Sequence, residues 1–398
     1  MLAIILAPIY LLINFYILRW NLRWMAACTK HFKSKWFRVG YSLLYIFIST
    51  SLVVAFLLPS SGFQRFLKHI SNYWLGTFLY IILLVSLFDL IRIIVLHTKA
   101  ANTRIVISKK TFVSVGGICI SFIILISTYG IVHAKHIYNT DYDIYINKEC
   151  GSQKSMKIVM VADLHLGYSI GTGTMKNMVN KINNLEPDLV CIAGDIFDND
   201  YDALDNPEEL IKILKGIKSR YGVYACYGNH DINEKLLAGF TFDSEEKKQS
   251  DSRMDKFLEK ADIKLLNDKA ECINNEFYLI GRADYSIAKR TEERKSIEEL
   301  LKGLDKSKPI FVIDHQPKEL EELSDCGVDL DMSGHTHDGQ LFPGNILTSL
   351  VWENSCGYLK KGDMHSIVTS GIGVWGPNMR VGTKSEITEI NVKFKTAK

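Results

Sequence analysis

Ile158-Val159-Met160-Val161-Ala162-Asp163-Leu164-His165 is an apolar run that breaks into an acid and an imidazole. The same pattern returns four times. Val190-Cys191-Ile192 leads into Gly194-Asp195, and Tyr224-Ala225-Cys226 into Gly228-Asn229-His230-Asp231. Ile310-Phe311-Val312 leads into Asp314-His315, and Leu330-Asp331-Met332 into Gly334-His335-Thr336-His337. Short apolar runs closed by glycine and polar residues read as buried strands. Further runs of this kind lie at 277–281 and 366–370. Amphipathic stretches at 174–184, 207–219, 253–261, 291–303 and 317–324 alternate with the runs and read as helices. From Met156 onward the fold class is therefore α/β, with one or more buried sheets. Each polar cluster follows its strand, and open α/β sheets put their ligand sites at strand C-terminal ends. The stretch Phe242–Asp255 is polar and charged, and reads as an exposed loop running into a helix.

Upstream the chain is a different material. Residues 1–138 hold 14 Lys/Arg and one acid, Asp89, whereas the remainder holds 33 bases and 43 acids. The acidic half argues against nucleic acid as a partner, because a phosphate backbone needs a basic surface. Four apolar stretches stand out at 1–18, 39–58, 73–96 and 111–132, and each is about long enough to cross ~30 Å of hydrocarbon as a helix. Asp89 and Arg92, three apart near the end of the third stretch, are placed to pair or to snorkel toward headgroups. The loop at 19–38 carries six bases and that at 97–110 carries four, while 59–72 has only Arg65 and Lys68. Basic loops stay cytoplasmic, so the expected topology places both ends of this four-span unit, and the domain after it, outside. Residues 133–155 read as a tether between a transmembrane domain (1–132) and a catalytic domain (156–398). Cys191 and Cys226 fall in strand-like runs and read as buried thiols. Cys150, Cys272, Cys326 and Cys356 are left open as disulfide partners.

Two carboxylates, a carboxamide and at least four imidazoles make a mixed nitrogen and oxygen donor set. Such a set suits Mn, Fe or Zn better than Ca or Mg. An extended backbone through Asp163-Leu164-His165 and through His335-Thr336-His337 would put each alternate pair on one face. The glycines at 194, 228 and 334 allow sharp turns beside the donors.

In order, Asp163-Leu164-His165, Gly194-Asp195-Ile196-Phe197-Asp198, Gly228-Asn229-His230-Asp231, His315-Gln316-Pro317 and Gly334-His335-Thr336-His337 form a motif set. It resembles that of the calcineurin-like metallophosphoesterase superfamily over about residues 156–393. Gly339-Gln340 and the closing Gly371…Arg380 segment resemble its membrane-associated bacterial branch. The resemblance implies a four-layer β-sandwich, two mixed sheets flanked by helices, here preceded by an all-α membrane domain of four transmembrane helices. It implies two divalent metal ions, one on Asp163, His165, Asp195 and His337, the other on Asp195, Asn229, His315 and His335. It further implies a metal-activated hydroxide attacking phosphorus, with His230 assisting the leaving group and Asp198 orienting His230. Arg380 is a candidate substrate-phosphate contact. Many relatives have glycine where this chain has Asp338, which bears on substrate preference.

The function expected is a two-metal-dependent phosphoester hydrolase of a cell membrane, bacterial by its branch, acting at the outer face on a phosphoester that includes lipid-linked candidates. Two alternatives stand beside it: a pyrophosphatase-like hydrolase of a nucleotide-linked lipid precursor, and a non-catalytic membrane receptor module.

Overall fold

The computed structural model describes residues 2–98, 108–232, 236–237, 240–241, 251–288 and 294–396. Of the expected loop at Phe242–Asp255, residues 242–250 lie outside that set, as do Lys99 and Arg104 of the second basic loop. The chain forms two compact units, one comprising Met1–Val132, Leu236–Asp243 and Gly376–Met379, the other His133–Lys235, Ser244–Trp375 and Arg380–Lys398.

The first unit is helical: α1 (Leu2–Cys28), α2 (Lys35–Leu57), α3 (Gly62–His97) and α4 (Lys109–His133). Among the described residues three of these, α2, α3 and α4, are long and apolar enough to cross a membrane. Ser61 starts α3 by accepting the Gln64 N–H at 3.2 Å. The polarity of the bundle is inverted relative to a water-soluble one. Leu11, Leu12, Phe15, Leu43 and Leu57 are exposed, while Asn14, Ser49, Ser51 and Ser71 are buried. The buried polar groups are satisfied within and across helices, the three serines by carbonyls of their own helices. Tyr45 donates to Asn14 Oδ1 at 3.0 Å, Asn14 Nδ2 to the Tyr10 carbonyl at 2.8 Å, and Trp74 Nε1 to the Tyr10 hydroxyl at 2.9 Å. Asp89 does not pair with Arg92 as its spacing suggested; it accepts the Tyr16 hydroxyl of α1 instead.

The second unit contains two six-stranded mixed sheets. The first has β1 (Ile137–Ile146), β2 (Ser155–Val161), β3 (Leu189–Ala193), β4 (Val223–Cys226), β7 (Ile263–Leu265) and β14 (Ser385–Phe394), in the order β1-β14-β2-β3-β4-β7. A two-stranded hairpin of β5 (Leu236–Leu237) and β6 (Phe240–Thr241) belongs to the first unit. The second sheet has β8 (Lys269–Ile273), β9 (Phe277–Gly281), β10 (Ile310–Ile313), β11 (Leu330–Ser333), β12 (Gly357–Lys361) and β13 (Met364–Val368), in the order β12-β13-β11-β10-β9-β8. The helices are α5 (Thr172–Asn184), α6 (Pro207–Leu214), α7 (Ser252–Lys260), α8 (Tyr285–Ala288), α9 (Ile297–Leu301), α10 (Leu320–Asp325) and α11 (Gly344–Val351).

Strand periodicity explains the layering, because successive side chains point to opposite faces. Ile158 and Met160 of β2 join Cys191, Phe311, Ile313 and Met332 in the core between the sheets. Val159 and Val161 point the other way, onto Met178 and Ile182 of α5, Leu210 of α6 and Phe257 of α7. On the far side, Ile280 and Val312 pack under Leu300 of α9 and Leu320 and Leu323 of α10. With both faces covered, the central strands are mostly apolar, which is why they were legible as runs, with Asp331 of β11 and His365 and Ser366 of β13 as buried polar exceptions. Cys191 and Cys226 are buried as expected, and all eight cysteines are free.

Residues 133–155, expected as a tether, contain a strand. β1 pairs in parallel with β14 from Ile137↔Ser385 to Ile146↔Phe394. Only residues 134–136 separate it from α4. Its central residues are partly exposed, so the segment lacks the apolar run that marked the inner strands. The helix expected over 207–219 ends at Leu214, and that over 291–303 starts at Ile297 behind a Ser296–Glu299 capping box.

Candidate metal centre

β2, β3 and β4 run parallel in one sheet, and β10, β11 and β13 in the other. Their C-terminal ends deliver the polar clusters. After β2 come Asp163 and His165, after β3 Asp195 and Asp198, and after β4 Asn229 and His230. His315 follows β10, and His335 and His337 follow β11. Asp163, His165 and His337 bring one ligand atom each to within 4.8 Å of one another, and so do Asp195, His315 and His335.

The backbone there is not extended, contrary to expectation. Asp163, His165, Asp195, His335 and His337 have φ of 54°, 45°, 50°, 70° and 50°. The left-handed region costs an ordinary residue roughly 1–2 kcal/mol. Five such residues at one site mark a geometry held by its surroundings. The holding bonds are visible: Asp163 N–H donates to the Gly194 carbonyl and His165 N–H to the Asp195 carbonyl, both at 3.0 Å. Gly228 is required by close approach, since a Cβ there would collide with the Asp195 carboxylate.

The donor atoms crowd in a way that calls for positive charge. His315 Nδ1 lies 2.9 Å from the Ala193 carbonyl, which can only accept, so Nδ1 carries a proton. That leaves His315 Nε2 facing Asp195 Oδ2 at 3.1 Å, Asn229 Oδ1 at 3.1 Å and His335 Nδ1 at 3.2 Å. His165 Nε2 and His337 Nε2 meet at 3.0 Å, and His337 Nε2 is 3.4 Å from Asp163 Oδ1. Lone pairs this close repel unless protons or cations lie between them. Burial alone would depress His315, yet Asp195 holds it well above the ordinary imidazole range. Burial pushes Asp163 up to about 6 and His335 down to about 3. Divalent cations held among these donors would displace any protons shared between them. The residues present therefore fit the metals that the donor set implies.

His230 sits beside this cluster. Its backbone N–H donates to Asp195 Oδ1 at 2.8 Å, and its Nδ1 is 3.8 Å from Asp198 Oδ1. His165 Nδ1 also faces Asp198 Oδ1, at 3.6 Å. Burial lowers His230 to about 4. Trp375 meets the His230 ring edge-on at 6.0 Å, and Trp352 meets His335 at 5.2 Å.

Arg380, the candidate phosphate contact, lies in the loop after β13. It is fully buried, with its guanidinium donating to the carbonyls of Ser370 at 2.6 Å, Gly373 at 2.8 Å and His337 at 3.2 Å. It clamps the loops after β11 and β13, with Nε left as a buried donor without a partner. Sequence reasoning gave Asp231 no role. It accepts Gly228 N–H at 2.7 Å and Phe197 N–H at 2.8 Å, tying the loops after β3 and β4 together. Its place at the end of Gly228-Asn229-His230-Asp231 was the available signal. Asp338 adopts φ 51°, a conformation in which glycine is unstrained and Asp is tolerated.

The calcineurin-like phosphoesterase family model matches residues 156–339, which contain every ligand-type residue named above. An uncharacterized metallophosphoesterase of Aquifex aeolicus (strain VF5) is 30% identical over 244 residues, 60% of this chain and 86% of that protein. The chain belongs to the calcineurin-like phosphoesterase family. An uncharacterized metallophosphoesterase of Helicobacter pylori (strain J99 / ATCC 700824) is 30% identical over 255 residues, 63% of this chain and 62% of that protein. A Danio rerio protein named "transmembrane protein with metallophosphoesterase domain" is 29% identical over 283 residues, 68% of this chain and 60% of that protein. The matches thus span less than two thirds of the Helicobacter and Danio proteins.

Proposed function

We propose that this chain is a membrane-embedded, metal-dependent phosphoester hydrolase holding two divalent ions. Asp163, His165, Asp195 and His337 would hold one ion, and Asp195, Asn229, His315 and His335 the other, with Asp195 shared. The observation that carries this reading is the convergence of two ligand groups at adjoining strand ends, their donor atoms close enough to share cations. Two divalent ions in such a site supply a nucleophile at neutral pH and offset charge developing on phosphoryl oxygens.

The chain's own residues do the rest. The His230 backbone N–H fixes one oxygen of Asp195, leaving the other toward His315. Asp198 faces the His230 ring and favours its protonated form once an anionic phosphate arrives, opposing the burial that otherwise holds it near 4. His230 would then pass that proton to the leaving oxygen. Trp375 and Trp352 flank the imidazoles and limit water.

We infer further that residues 1–132 form a membrane domain of four spans, with the catalytic domain beyond it on the extracytoplasmic side. The exposed apolar and buried polar side chains of the bundle support the membrane part, as does the printed name of the Danio relative. The count of basic residues in its loops supports the orientation. A lipid-linked phosphoester is the substrate this setting favours.

The test is hydrolysis of chromogenic phosphomonoesters and phosphodiesters by the purified full chain. Chelation should abolish activity and Mn, Fe or Zn should restore it. Undiminished turnover by protein shown to be metal-free would overturn the reading.

A further inference from the structure

A cavity of about 920 Å³ opens within the helical unit, between α1, α3 and α4. Its polar lining comprises Arg19 and Arg23 of α1, Arg92 of α3 and Lys109 of α4, with Asp89 and Tyr16. The rest of the wall is largely apolar, including the aromatic rings of Trp20, Phe88 and Phe112. It is lined by the C-terminal parts of α1 and α3 and the N-terminal part of α4. The walls are fixed to one another. Trp24 Nε1 donates to the Val113 carbonyl at 3.1 Å, Trp20 meets Phe112 edge-on at 6.0 Å, and Tyr16 reaches Asp89. Gly116 admits the Trp24 indole, which a Cβ at that position would strike.

The charges do not cancel. Four cations face a single carboxylate, and that carboxylate already accepts the Tyr16 hydroxyl. Among the described residues none of Arg19, Arg23, Arg92 or Lys109 has a hydrogen bond or ion pair to another side chain. The four are solvent-exposed, at the rim of an otherwise apolar groove. A mouth of unpaired guanidinium and ammonium groups above aromatic and aliphatic walls has the two-part chemistry of a phospholipid. Phosphate meets the cations, and an acyl chain lies along the rings. Basic pockets between spanning helices on the cytoplasmic side recognise anionic headgroups in this way. A water-soluble anion would use only half of the surface.

We infer that this cavity binds an anionic phospholipid, its phosphate held by Arg19, Arg23, Arg92 and Lys109. The inference rests on the membrane reading of the helical unit and is independent of the metal centre. It makes α1, which carries two of the cations, part of a lipid-locked bundle.

The experiment is native mass spectrometry of the full chain released from detergent, with phosphatidylglycerol or phosphatidylcholine added. The expected result is one phosphatidylglycerol retained at energies that strip phosphatidylcholine, and not displaced by excess inorganic phosphate. The combined Arg19→Gln, Arg23→Gln, Arg92→Gln variant should bind phosphatidylglycerol about tenfold more weakly or worse. The matching Lys variant should retain the preference. Circular dichroism establishes that each variant keeps its helices. Equal retention of the two lipids by the parent chain would overturn the site, as would displacement by phosphate or an unchanged Gln variant. Alkaline carbonate extraction reads the membrane reading separately. A chain washed off membranes by carbonate loses both proposals, whereas a chain that stays and shows no lipid preference loses only this one.

Discussion

Asp195 and His230 divide their labour by where their atoms point. Both Asp195 oxygens are committed, one to the His230 backbone N–H at 2.8 Å and one to His315 Nε2 at 3.1 Å, whereas the His230 ring lies off the paired donors beside Asp198. Asp195→Asn should therefore lower bound metal at both positions, while His230→Ala should keep metal and lose about 10²–10⁴-fold in turnover. Metal content measured beside kcat separates the two; equal metal loss in both variants would reject the division. Asp331 carries a different residue-scale prediction. Burial, with Asp314 adding to it, raises its carboxyl to about 7, while Ser366 and Ser333 hydroxyls oppose the shift. A folded-state pKa raised above the ordinary 3.8 means stability that is full below about 4 and lost as pH rises through about 7. Asparagine mimics the protonated acid. Asp331→Asn should unfold close to wild type below about pH 4 and at a higher midpoint than wild type at about pH 8. A pH-independent difference in thermal midpoints would show that Asp331 does not titrate in this range.

At the scale of elements, the site is a set of loops pinned behind parallel strands. Asp231 joins the loops after β3 and β4, and Arg380 joins those after β11 and β13. Arg380 is the more exposed to test because two roles predict opposite kinetics. As a clamp, its removal strands several buried carbonyls, so Arg380→Ala should cost about 3 kcal/mol of stability. Lysine should rescue poorly, because a single ammonium cannot reproduce the planar fork. A phosphate contact would instead raise KM with stability intact. Denaturant midpoints and KM measured on the same preparations distinguish them. The edge pairing of β1 with β14 is a second element-scale feature. It recruits the residues just after α4 into the first sheet, so the catalytic unit begins where the spanning helix ends.

For the whole molecule, the contrast is between a bundle apolar on its outside and a sandwich apolar within. The proposed topology rests on charge in the sequence: ten bases in two loops against two in the loop between them. A reporter active only in the cytoplasm, fused after Lys398, should be silent, and one active only outside should light up. The opposite pattern would invert the proposed orientation or change the number of spans.

How much of this was legible beforehand depends on range. The seven inner strands that the apolar runs marked are all present, because strands covered on both faces are apolar over most of their length. The donor set was legible because its members come in short clusters just past those strands, so chain order alone brought them to one end of the sheets. The spanning character of three helices was written in length and composition. What the sequence left open involves partners far away in the chain. Strand β1 is polar and half-exposed, and only its pairing with β14, some 248 residues on at Ile137↔Ser385, makes it a strand. A lone arginine in a loop carries no sign of burial; Arg380 becomes a clamp because carbonyls of three separate loop positions converge on it. The left-handed backbone at Asp163, His165, Asp195, His335 and His337 is likewise imposed by the packing of neighbouring loops. Local periodicity fixes which face a residue takes, but non-local hydrogen bonding decides which strained turns and buried charges the chain can sustain.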